Sequence, residues 1–175
     1  MSVNLRPARP ADLSFVRACA QAAYAPYVQR MGQRPAPMDA DFEGALEQEQ
    51  CFVLEEATRP LGYAIWFPEG DTFFIENIAI APREQGRGLG IVLMNQAETA
   101  AKQRGLTRLR LYTNVKMLEN IAFYTRLGFA ETERRRENGF HRVYLEKHLK
   151  SRFTSHLKSI KKACIRGWHP KRMAP

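Results

Sequence analysis

The stretch Phe73–Gly105, FFIENIAIAPREQGRGLGIVLMNQAETAAKQRG, decides how the chain is read. An apolar run from Phe73 to Ala81 stops at Pro82, and three glycines follow at alternate positions, Gly86, Gly88 and Gly90. Leu89, Val92, Leu93, Ala97 and Ala100 then recur at helical spacing. Lys102 and Arg104 suit the last turn of that helix and Gly105 ends it. The pattern is strand, glycine turn, helix. A phosphate-binding loop of the G-x-x-x-x-G-K-[ST] type is absent, and the dinucleotide fingerprint G-x-G-x-x-G fails because Ile91 stands at its last position. What remains is Gln85-x-x-Gly88-x-Gly90 at a helix N-terminus, where successive backbone N–H groups can converge on an anion. The same glycines also suit a tight turn with no ligand.

Working outward, SVNLRPA reads as a first strand and PADLSFVRACAQAAYAPYVQRMG as a helix, with a break at Pro26 and a stop at Gly32. MDADFEGALEQ reads as a short helix capped by Asp39 or Asp41. CFVLEEA and LGYAIWFPEG are two strands joined around TRP, and DTFFIENIAIA is a third. After the long helix, LTRLRLYT alternates as a strand. MLENIAFYTRLG is a helix with Leu118, Ile121, Ala122 and Thr125 on one face and a stop at Gly128. FAETERRR and FHRVYLEKHL form a hairpin around ENG. The expected order is β-α-α-β-β-β-α-β-α-β-β, an α/β fold on a sheet of mixed direction.

Composition narrows the class. At 175 residues, 45% hydrophobic and 26% charged, the chain suits one globular domain. No apolar run approaches the roughly 18 residues of a membrane span, and MSVNLRPARP has no secretory core. Three scattered cysteines, Cys19, Cys51 and Cys164, give no disulfide framework, so a cytoplasmic location is expected. The four histidines show no metal-ligand spacing, and no metal is expected. The net charge of +9 is localised: eight cations and no acid lie from Lys150 onward, leaving +1 for the rest. The division is therefore a domain over residues 1–149 and a basic extension over 150–175. Within the extension Phe153, Leu157, Ile160 and Cys164 form one helical stripe, expected to dock on the domain or on a twin subunit. Electrostatic binding and disorder are the alternatives.

IAIAPREQGRGLG followed by NIAFYTRLGF resembles the GCN5-related N-acetyltransferase family. The first motif carries Gln85, Gly88 and Gly90, and the second carries Asn120, Tyr124 and Leu127-Gly128-Phe129. The resemblance extends over Val3 to Leu149. It implies the acyl-CoA N-acyltransferase fold: a mixed, largely antiparallel sheet flanked by helices, with two central parallel strands splayed apart, often beside a bulge. It implies acetyl-CoA as cosubstrate, its pyrophosphate on Gln85, Gly86, Arg87, Gly88, Leu89 and Gly90, and its pantetheine arm on main-chain groups of Ile78, Ala79 and Ile80. It also implies transfer of the acetyl group to a primary amine of a small molecule or peptide by direct attack in a ternary complex.

In such chemistry an amine of pKa about 10 must lose a proton before attack. By the resemblance, Glu76 is a candidate general base, directly or through water; the alternative is an ordinary strand charge. A main-chain N–H near Ile78 is the implied donor to the oxyanion. Tyr124 is the candidate acid toward the departing thiolate, or else a core aromatic, and Asn120 one turn earlier would bind pantetheine or orient the phenol. Tyr24, Tyr27, Met31 and Trp66 are the candidate acceptor-pocket residues. Two other classes stay open: a catalytically silent CoA-binding sensor or scaffold, and a binder of anionic surfaces or nucleic acid through the extension. Nucleic acid is disfavoured because the body of the chain is nearly neutral.

Overall fold

The computed structural model describes residues 2–150; the helix expected within 153–165, and its docking, lie outside the described residues. Seven strands form one sheet in the order β1-β2-β3-β4-β5-β7-β6. They are β1 (Val3–Pro7), β2 (Cys51–Glu56), β3 (Arg59–Glu69), β4 (Thr72–Ile80), β5 (Arg108–Asn114), β6 (Ala130–Glu137) and β7 (Phe140–His148). The helices are α1 (Leu13–Met31), α2 (Phe42–Glu47), α3 (Leu89–Gln103) and α4 (Leu118–Arg126). The order along the chain is the one expected.

Two cores sit on opposite faces of the sheet. Leu89, Leu93, Met94, Ala97 and Ala101 of α3 pack with Leu61, Trp66, Phe73, Ile75, Leu109 and Leu111 on one face. On the other, Val16, Cys19, Ala20 and Tyr24 of α1 and Phe42 of α2 pack with Val53, Tyr63, Ile65 and Ala79. Asp41 caps α2, its carboxylate accepting from the Gly44 N–H at 2.9 Å. Asp39 instead pairs with Arg34.

All strand pairs are antiparallel except β4 with β5. That parallel pair holds for only three positions, Phe73–Leu109 to Ile75–Leu111, and then the strands part. At the same level the β3–β4 register jumps: Trp66 faces Ile75 but Ile65 faces Asn77, so Glu76 is the extra residue of a β-bulge. The bulge reverses the alternation of β4. Phe73 and Ile75 face the α3 core before it, and Ile78 and Ile80 pack on that core after it, whereas Asn77 and Ala79 turn toward α1.

Two expected helix features are corrected. α1 runs unbroken through Pro26. A proline in a helix interior removes one N–H bond and costs about 3 kcal/mol, but the half beyond it is anchored to α4, where Arg30 donates to both oxygens of Glu119 at 2.7 and 2.9 Å. Of the expected inward face of α4 only Ile121 is half-buried; Ala122 and Thr125 are exposed and Leu118 is 66% exposed, while Asn120, Phe123 and Tyr124, with Leu127 just past the helix, turn inward with Ile121. The helix is rotated because Phe123 packs against Gly90 of α3, where an added Cβ would lie 3.3 Å from the ring.

Gly62 of β3 permits the close pairing behind the bulge. A Cβ there would lie 2.5 Å from the Ala79 carbonyl oxygen and 2.7 Å from Ile80 Cδ1. The carbonyl is backbone and cannot swing aside, so Gly62→Ala is expected to destabilise the fold by about 1–3 kcal/mol in denaturant unfolding. An unchanged midpoint would show that the strands relax freely.

Candidate active site

The parting of β4 and β5 opens a cleft across the sheet edge of both strands. In the antiparallel ladder, the Ala81 N–H donates to the Leu61 carbonyl at 2.9 Å, which fixes the parity: Asn77, Ala79 and Ala81 bond to β3. The main-chain groups of Ile78 and Ile80 therefore point the other way, where β5 no longer pairs with them. Their carbonyls have partners. The Tyr24 hydroxyl lies 2.9 Å from the Ile78 oxygen and 3.1 Å from Asn77 Oδ1, sharing its one proton, and Gln85 Nε2 donates to the Ile80 oxygen at 3.1 Å. Their N–H groups face the cleft. Of the three residues expected to offer main-chain groups, Ile78 and Ile80 do so, whereas the main chain of Ala79 is engaged with β3.

One end of the cleft is bounded by Gln85, Gly86, Gly88, Leu89 and Gly90. Gly86 and Gly88 adopt φ of 80° and 75°, the left-handed region that glycine enters freely. Among the described residues, no acceptor takes the N–H groups of Gly86 to Gly90. A Cβ at Gly86 or Gly88 would meet nothing within 4 Å, so the space above both is open. The turn thus presents a row of unpaired donors at the N-terminus of α3, a fit for a pyrophosphate. Arg87 contributes through its backbone alone. Its guanidinium is turned outward to Glu84 at 2.5 Å and Glu56 at 3.0 Å, in a surface cluster completed by Arg59.

The other end is a pocket bounded by Glu76, Tyr112, Asn114, Phe140, Arg142 and Met31 among others. Tyr24, Ile78, Asn120 and Tyr124 bound both ends, so the two spaces meet at these four residues. Tyr124 is set there by the way α4 stops. Gly128, at φ 88°, donates its N–H to the Thr125 oxygen at 3.0 Å, and Phe129 donates to the Tyr124 oxygen at 3.1 Å. This is a Schellman stop, with the buried Phe129 ring 5.8 Å from the Tyr124 ring. The Leu-Gly-Phe motif is thereby explained: it fixes the tyrosine two positions before the helix ends. Burial, with a smaller contribution from Tyr27, pushes the Tyr124 phenol up to about 12. Burial, then the charge of Asp41, raises the Glu76 carboxyl above its usual range.

The remaining expected residues divide. Asn120 accepts from the Tyr27 hydroxyl at 3.4 Å, which ties α4 to α1 over the cleft. Tyr27 bounds the glycine-loop end rather than the pocket, while Met31 and Tyr24 do bound the pocket. Trp66 is a correction. It is 3% exposed on the opposite, α3-facing side of β3, its ring 5.1 Å from Phe52 and 6.2 Å from Phe73. Tyr112 and Asn114 of β5 bound the pocket without having been expected there, and so do Phe140 and Arg142, whose strand β7 enters the site only by inserting between β5 and β6.

The profile of the acetyltransferase (GNAT) family matches residues 17–129. An uncharacterized N-acetyltransferase of Methanocaldococcus jannaschii is 33% identical over 94 residues, half of this chain and 42% of that protein. Streptothricin acetyltransferase of Streptomyces lavendulae is 36% identical over 70 residues, 40% of this chain and 35% of that protein. The matched part thus spans less than half the length of these curated relatives. Among solved structures, the PaiA N-acetyltransferase of Thermoplasma acidophilum, in complex with coenzyme A, superposes with a TM-score of 0.71 at 15% identity. The match covers 85% of this chain and 99% of that one, a likeness of fold.

A raised carboxyl in the folded state binds its proton more tightly than in the unfolded chain, so its charge costs stability above the folded pKa and nothing well below the unfolded one. Glu76→Gln is therefore expected to raise the melting temperature at pH 7, with the gain disappearing as pH falls below about 4. A variant that melts at or below wild type at pH 7 would mean that the carboxylate has stabilising partners in solution.

Proposed function

Because the chain belongs to the acetyltransferase (GNAT) family, we propose that it transfers the acetyl group of acetyl-CoA to a primary amine of a small molecule or peptide, by direct attack in a ternary complex. The observation that carries this reading is the parting of β4 from β5 after three paired positions, which turns free main-chain donors, Glu76 and Tyr124 toward one connected space. Bound acetyl-CoA supplies an activated acyl group, a thioester carbonyl open to attack.

The chain's residues supply the rest. The N–H groups of Gly86 to Gly90 hold the pyrophosphate. The N–H groups of Ile78 and Ile80 bond to the amide-bearing arm as a neighbouring strand would, and that of Ile78 also faces the negative charge developing on the carbonyl oxygen. Glu76 accepts the amine proton. Burial, which raises its pKa, makes it a stronger base than a solvated carboxylate. Tyr124, held protonated by a pKa of about 12, donates a hydrogen bond to the departing sulfur. Complete transfer to a thiolate of pKa about 8.5 would be uphill by roughly 5 kcal/mol, so the phenol acts chiefly as a donor and solvent completes the protonation.

A silent CoA-binding module would share the glycine loop and the splayed strand. It has no need of a desolvated carboxylate and an unpaired phenol bounding one pocket, and that combination favours catalysis. The separating experiment is thioester consumption against a panel of amines. Tyr124→Phe is expected to lower turnover by roughly ten- to a thousandfold while coenzyme A affinity, measured by calorimetry, stays within a few-fold. Full turnover by the variant with chemistry limiting would remove Tyr124 from the mechanism. Absence of turnover with every amine, with coenzyme A still bound, would favour the silent module.

Gly88→Val places a branched side chain at a φ of 75° and into the open space above the loop. It is expected to weaken coenzyme A binding at least tenfold, as measured by calorimetry on folded protein. Unchanged affinity would mean that the phosphates lie elsewhere.

A further inference from the structure

The pocket beyond Tyr124 holds a charge that acetyl transfer itself does not use. Arg142 stands on β7 opposite Asn114 of β5, with its guanidinium 4.0 Å from the centre of the Tyr112 ring. Its side chain is only 13% exposed, and of its five N–H donors one nitrogen approaches a carboxylate, Glu137. The nearest carboxylate, Glu137, is 3.4 Å away and already engaged: it accepts from the Tyr144 hydroxyl and pairs with Arg135 at 3.0 Å. A guanidinium largely removed from water, whose one carboxylate partner is shared with Tyr144 and Arg135, has donors to spare for an anion with planar, two-oxygen geometry.

The same pocket is also bounded by Glu76. The Tyr112 phenol feels both charges: burial raises it most, Arg142 opposes that and Glu76 adds to it. β4, β5 and β7 are consecutive in the sheet, and Glu76 and Arg142 lie about two residues apart along the strand direction. Standard strand spacings put their backbones at least roughly 12 Å apart, since β4 and β5 part at this level. The arginine side chain reaches back over the Tyr112 ring, into that gap. Met31, Pro37, Met117 and Phe140 add apolar surface to the same pocket.

Resting on the acetyl-transfer reading above, we propose that the acceptor is an apolar amino acid with a free carboxylate: its amine meets Glu76, its carboxylate is held by Arg142, and its side chain lies on the apolar wall. The amine nitrogen forms a bond to the acetyl carbon as the carbon–sulfur bond breaks. Glu76 takes the amine proton, the sulfur leaves to become the thiol of coenzyme A with a proton from solvent, and the carboxylate is unchanged. A polycation fits this pocket poorly, because a second positive charge would meet Arg142.

The test uses L-methionine and L-phenylalanine against L-methioninamide and L-phenylalaninamide, with tyramine as an amine lacking a carboxylate. The amides have less basic amines, so a preference for the acids cannot arise from readier deprotonation. Wild type is expected to favour each acid over its amide at least tenfold in kcat/KM. Arg142→Met, checked for folding by its melting curve, is expected to raise KM for the acids about 10–100-fold with a smaller change in kcat, so the acid-to-amide ratio falls toward one. Arg142→Lys is expected to restore part of the preference. Turnover of tyramine or the amides as efficient as that of the acids, or an equal loss for acids and amides in Arg142→Met, overturns the proposal and leaves acetyl transfer standing. A second arm titrates N-acetyl-L-methionine and N-acetyl-L-methioninamide into the coenzyme A-loaded protein. If no amine is turned over, tighter binding of the acid that Arg142→Met abolishes still supports the pocket assignment while the catalytic reading fails. Equal binding of acid and amide overturns the assignment.

Discussion

The interaction on which the rest of the molecule depends is one that is not made. β4 and β5 are neighbours in the sheet, yet they bond for three positions only, and everything described at the site follows from the fourth being lost. A strand that leaves its partner exposes alternating donors and acceptors, and each buried, unpaired one costs about 1–3 kcal/mol. The protein resolves this asymmetrically. The acceptors on the cleft side, the carbonyls of Ile78 and Ile80, are met by Tyr24 and Gln85 from within the chain. The donors are left open. A cleft whose own acceptors are satisfied and whose donors are free is matched to a ligand rich in oxygen.

The bulge at Glu76 sets what else faces that cleft. Without the extra residue, Asn77 and Ala79 would continue on the α3 side with Phe73 and Ile75, and polar Asn77 would enter an apolar core. With it, Asn77 reaches Tyr24 instead, and Ile78 and Ile80 return to the α3 side where their bulk is needed. Glu76 sits at the reversal itself, with no strand partner opposite, and its carboxylate stands at the pocket wall. A single inserted residue therefore places the candidate base, opens the main-chain donors beside it and keeps both cores apolar.

What the sequence made legible follows the range of the interactions involved. The glycine turn, the helix it begins and the Leu-Gly-Phe stop are local devices, read within a few residues, and the element order followed from them. The rotation of α4 was not legible, because it is decided by Phe123 meeting Gly90 from a different helix. Trp66 misled because an aromatic beside a pocket and one beneath it look alike until strand parity is known. The parity that buries Trp66 between Phe52 and Phe73 follows from strand pairing. Arg142 was least accessible of all. It reaches the site only because the last strand doubles back between β5 and β6, a pairing that leaves no local trace.

The two ends of the cleft are electrostatically different, and the difference bears on how they act together. The glycine-loop end offers neutral backbone dipoles, which strengthen as water is excluded. The pocket end holds opposite charges, Glu76 and Arg142, and these are attenuated by any water between them. A chain of ligand atoms lying along β4 removes that water from one side of the pocket, past Ile78 and Tyr124, before any acceptor enters. The charges of Glu76 and Arg142 then act across a drier space. On the acetyl-transfer reading proposed above, a second ligand that matches both charges gains most when the first is already in place.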